Sequence, residues 1–212
     1  MLRALFTAQK SMHTIAPIST PLPQLFFHGK PSLHDRLEDS VSKAIKSIKT
    51  PVENRQEDDI KHINRYLEAE EWILFCLHHQ LSQEKEPPQP LYEIMHLLSR
   101  WASADIENHH EEQIPLPIKL TLFEQIKPLT PNNNHALSSI LILGKLAGGT
   151  HLKEGLPNGN HIENLHNWAD PVHEKTLMRD FRKRRADSEC KAMLDHLVTY
   201  YDQSLNPSVT RA

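Results

Sequence analysis

Cysteine and glycine are both scarce: the 212 residues contain two of the first, Cys76 and Cys190, and six of the second. Two widely separated thiols exclude a disulfide framework and the zinc motifs built on paired cysteines, and they fit a reducing compartment. Each lies in an apolar helical pattern, which predicts buried free thiols. Five of the six glycines fall between Gly144 and Gly159, and none forms a phosphate-cradling, dinucleotide-binding or nucleophile-elbow motif. No apolar run approaches the ~20 residues a membrane span needs; the longest, Ile140 to Leu143, ends at Gly144 and Lys145. Charge of one sign is also missing. A net charge of −3 with neutral histidines gives no bulk attraction to nucleic acid or anionic lipid, so neither is expected as a partner.

Histidine is what the chain has in excess, with fifteen copies. Imidazole titrates near neutrality and is a common metal ligand, so the excess raises a metal hypothesis. Spacing answers most of it. A carboxylate-bridged centre in a helix bundle needs Glu-x-x-His pairs on facing helices. Glu93 with His96, Glu107 with His110 and, more weakly, Asp59 with His62 have that spacing. Glu93 and His96 lie opposite the apolar face of their helix, so both should be solvated. His78-His79 and His109-His110 are neighbours that point in different directions on a helix and read as solvated positions. His34-Asp35 resembles the paired ligands of HD phosphohydrolases, but a helix N-terminus accounts for it. The expectation is no bound metal and no cofactor.

The periodicity predicts an all-α fold, an irregular bundle of five to seven helices with an extended Pro-rich N-terminal arm. Leu33, Leu37, Val41, Ile45 and Ile48 recur every three or four residues after Ser32 and stop at Thr50-Pro51. A longer helix runs from about Glu57 to Leu81, with Ile60, Ile63, Leu67, Leu74, Leu77 and Leu81 as its seam and Trp72 and Phe75 off it. Such a helix is central in a bundle or shared with a partner. A third helix covers about Pro90 to Ala104, and a shorter one follows Pro115 and Pro117 through Lys127. Thr130-Pro131 opens a segment expected to close at Gly148-Gly149, followed by an irregular loop to Gly159. Asp170-Pro171 starts a last helix reaching about Ser204, polar from Arg182 to Glu189. The expected organisation is an arm over 1–31, a single helical domain over 32–205 with a possible sub-boundary near 128–131, and a tail over 206–212.

The first 34 residues contain no Asp or Glu and begin Met-Leu-Arg-Ala-Leu-Phe, so they resemble an organelle transit peptide. Pro17, Pro21, Pro23 and Pro31 favour instead an extended arm whose Leu25, Phe26 and Phe27 dock on the body or a partner. A cytoplasmic address is expected, with organelle targeting as the alternative.

His151, Asn164 and His173 are spaced 13 and then 9 residues apart. This constellation is similar to the HNH nuclease motif. The resemblance implies His151 as general base, Asn164 holding the loop, and His173 as ligand of a divalent ion that stabilises the phosphoryl transition state. Thr150 stands where that motif has an acidic residue, and Ala169 and Val172 stand where cysteines often accompany it. Arg179, Arg182, Lys183, Arg184 and Arg185 form a basic cluster suited to an acidic partner. With Leu25, Phe26, Phe27 and Trp72 they are the candidate partner-binding residues. The main expectation is a non-enzymatic adaptor, scaffold or chaperone-like subunit of a larger protein assembly, in general character like small helical adaptors of bacterial secretion and effector systems. A metal-dependent nuclease is the alternative.

Overall fold

A computed structural model describes residues 33–106, 114–153, 160–169, 175–176 and 188–206. Among them the chain forms seven α-helices and no strand: α1 (Leu33–Lys49), α2 (Glu57–Ser82), α3 (Leu91–Ile106), α4 (Leu116–Ile126), α5 (Pro131–Lys153), α6 (Asn160–Trp168) and α7 (Ser188–Leu205). A 3₁₀ turn, Val52–Asn54, links α1 to α2. The predicted all-α class is therefore observed, and no helix among the described residues is long and apolar enough to cross a membrane.

Local chemistry explains the boundaries. Asp59 accepts a bond from the Gln56 backbone N–H at 3.0 Å, closing a capping box at the start of α2. Pro115 and Pro117 frame the start of α4, where a missing N–H costs nothing. At the head of α5 the Asn133 N–H reaches the Thr130 hydroxyl at 3.4 Å, the N-cap role its sequence position implies.

The long helix α2 is the axis of the fold, packing against α1, α3, α4, α5 and α7, while α6 lies against α3 and α5. Its Ile63, Leu67, Leu74, Leu77 and Leu81 are buried as the seam predicts. Ile60 is not: it is 46% exposed. Ser47 of α1 meets Asp59 and His62, so α1 covers that side of the first turn and leaves Ile60 open. Cys76 is a buried free thiol, as expected.

The glycine-rich stretch departs further from the sequence reading. α5 runs on through Gly148-Gly149 to Lys153, so the expected stop is absent. Helical glycine costs about 1 kcal/mol relative to alanine, a preference that tertiary packing overrides. Packing is extensive here: Ala136, Leu137, Ile140, Leu141 and Ile142 join the core, and Asn133, Asn134, Ser138, Ser139 and Lys145 are buried with them.

Candidate functional site

The face of α2 left open by α1, α5 and α7 carries a row of rings. Trp72 and Phe75 stack with centres 5.0 Å apart, Phe75 and His79 follow at 6.1 Å, and His79 meets Phe123 of α4 at 5.4 Å. On the α3 side, His78 lies 5.5 Å from Tyr92 and 5.1 Å from His96. The row is only partly covered. Phe75 is 39% exposed, and on α4 Leu116 and Leu120 are 58% and 48% exposed. Leu116, Leu120 and Phe123 share one face of α4 by helical spacing, so α4 adds an apolar stripe beside the rings.

Trp72 is held rather than merely placed. Its indole N–H donates to the Lys119 carbonyl at 2.9 Å, and the Lys119 ammonium sits 5.5 Å from the ring centre. The same ammonium pairs with Glu68 at 2.6 Å, and Glu68 also accepts the Ile114 backbone N–H at 3.0 Å. Lys119 therefore clamps α4 to α2 through its backbone and its charge together. Glu71 accepts a bond from Ser103 of α3 at 2.9 Å, and burial pushes its carboxyl above the usual range.

Deeper in the bundle Glu70 accepts the Tyr201 hydroxyl and pairs with Lys145, whose side chain is shut off from water. Burial, then the Glu70 charge, pushes the Tyr66 and Tyr201 phenols far above their ordinary range. Glu68, Glu70 and Glu71 are thus each met by a cation or a hydrogen-bond donor. They form a frame that fixes α3, α4, α5 and α7 around α2. The sequence reading missed this frame, because its acids and Lys145 look like ordinary polar helix positions.

Of the sequence candidates, Trp72 lies half-buried in the ring row, packed against the core. Leu25, Phe26, Phe27, Arg179, Arg182, Lys183, Arg184, Arg185 and His173 lie outside the described residues. His151 falls within α5, and Asn164 is half-buried in α6. The chain is helical through Lys153, where the HNH resemblance implies strand, and the segment between His151 and Asn164 over 154–159 lies outside the described residues. Glu93 and His96 are exposed, as expected. His78, expected in solvent, is half-buried against α3. No group of three or more His, Cys, Asp or Glu among the described residues is arranged to hold a metal ion.

No protein-family model, curated protein or solved structure matches the chain.

Proposed function

We propose that the chain is a helical adaptor whose α2–α4 face receives an apolar segment of a protein partner. The observation that carries this reading is the Trp72–Phe75 stack: Trp72 is half-buried and locked by the Lys119 carbonyl, and it backs an exposed Phe75 ring on the face to which α4 brings exposed Leu116 and Leu120. A rigid aromatic that has already lost its rotamer freedom contributes more on binding than a mobile one. The i, i+4, i+7 spacing of Leu116, Leu120 and Phe123 suits a partner helix laid alongside α4. The Phe26-Phe27 segment and the Arg182–Arg185 cluster would add contacts around the same module, and a subunit role in a larger assembly follows from that reading.

The test is affinity purification of the tagged full chain from its native cell. A stoichiometric protein partner is expected with the wild type and is expected to be lost with Leu116→Asp plus Leu120→Asp, whose positions are exposed enough to leave the fold intact. Recovery of a monomer alone, or equal recovery of the partner by both proteins, would overturn the reading.

A further inference from the structure

The pair formed by His78 on α2 and His96 on α3 joins two helices through side chains that carry no ordinary hydrogen bond between them. Their ring centres are 5.1 Å apart and the planes are inclined by 49°, so the rings are not stacked. Two imidazoles that share one tetrahedral ion, each with a metal–nitrogen distance of about 2 Å, have ring centres about 5 Å apart. The His78 Nε2 atom is buried without any hydrogen-bond partner. A buried polar atom left in that condition calls for a water or an ion.

The surroundings favour an ion of a particular class. A metal takes the lone pair of an imidazole nitrogen that bears no proton, and the His78 Nε2 atom has no other partner to engage it. His96 is exposed, which opens a path from solvent to the pair. Imidazole nitrogen suits zinc, copper and nickel and is a poor ligand for magnesium or calcium. Two protein ligands leave the remaining coordination positions to water, so binding should be weaker than at a closed structural zinc site. We propose that His78 and His96 together bind an imidazole-preferring divalent transition metal ion, which links α2 to α3.

Calorimetric titration of the full chain with Zn²⁺ alone tests this, with His96→Asn as the main variant because an exposed residue can be changed without disturbing the core. The wild type is expected to show one site at least tenfold tighter than its remaining histidine background, and Zn²⁺ is expected to raise the melting temperature. His96→Asn should lose both effects, while His109→Asn plus His110→Asn should keep them. His78→Gln should match His96→Asn if it folds. Equal Zn²⁺ binding by the wild type and His96→Asn, or no resolved site in the wild type, would overturn the proposal. Neither result depends on whether the α2–α4 face binds a protein.

Discussion

Lys145 of α5 and Glu70 of α2 form an ion pair across 75 positions of sequence, with 1% and 5% of their side chains exposed. Two charges taken out of water in this way are tolerable only because each meets the other and the Tyr201 hydroxyl fills a further Glu70 lone pair. Removing Lys145 leaves the Glu70 carboxylate buried with its hydroxyl donors but without that cation. Lys145→Met should therefore destabilise the fold by about 3–5 kcal/mol, a large share of a typical domain's stability. Combining it with Glu70→Gln, which removes the stranded charge and still accepts the tyrosine, should recover part of that loss. Urea denaturation of the two variants checks both halves.

The buried phenols give the fold an alkaline limit. Folding raises the pKa of Tyr66 and Tyr201 far above 10.0, and burial, then the Glu71 charge, pushes the Cys76 thiol from 9.0 up to about 12. In the unfolded chain these groups release their protons at ordinary values, so above pH ~9 the unfolded state binds fewer protons than the native state. Stability is then lost as pH rises through the unfolded values, beginning near 9 for the thiol and continuing past 10 for the phenols. Melting temperatures measured from pH 7 to 11 should fall over that range. Tyr66→Phe should flatten the fall.

The same burial makes Cys76 unreactive. At pH 8 a maleimide should leave Cys76 unlabelled in the native protein and label it in urea, as peptide mapping would show.

Asp59 joins α1 to α2, accepting bonds from the Gln56 N–H and from the Ser47 hydroxyl at 2.7 Å. These two bonds, in that order of weight, lower its pKa below 3.8. Its contribution is present above pH ~4 and is lost as pH falls through the lower folded value, because only the unfolded carboxyl takes up a proton in that window. Asp59→Asn should lower the melting temperature at pH 7 and narrow the difference from wild type near pH 2.

The parts of this fold that could be read in advance are those where apolar spacing speaks alone. The seam of α2, the Leu91–Ile94–Met95–Leu98 face of α3 and the Thr130-Pro131 start of α5 all follow from local rules. Gly148-Gly149 misled because intrinsic preference opposes a helix there, while the core contacts of Ala136 to Ile142 and the Lys145–Glu70 pair sustain it. Glu68, Glu70 and Lys145 were hidden for a different reason: nothing local distinguishes a buried, paired charge from a solvated one. Trp72 was legible because it broke the seam. Its locking by Lys119 was not, since that needs a second helix 47 positions away. His78 and His96 likewise belong to different helices, and searching for spacing within one helix could not join them.

Photocrosslinking in the native cell, with benzoylphenylalanine in place of Phe75, of Leu120 and, as a control, of exposed Lys43 on α1, tests the proposed docking role of the α2–α4 face most directly. A discrete adduct with the same protein from positions 75 and 120, and none from 43, is the expected result. No adduct from either face, or the same adducts from all three positions, would contradict the assignment of the α2–α4 face as the docking surface.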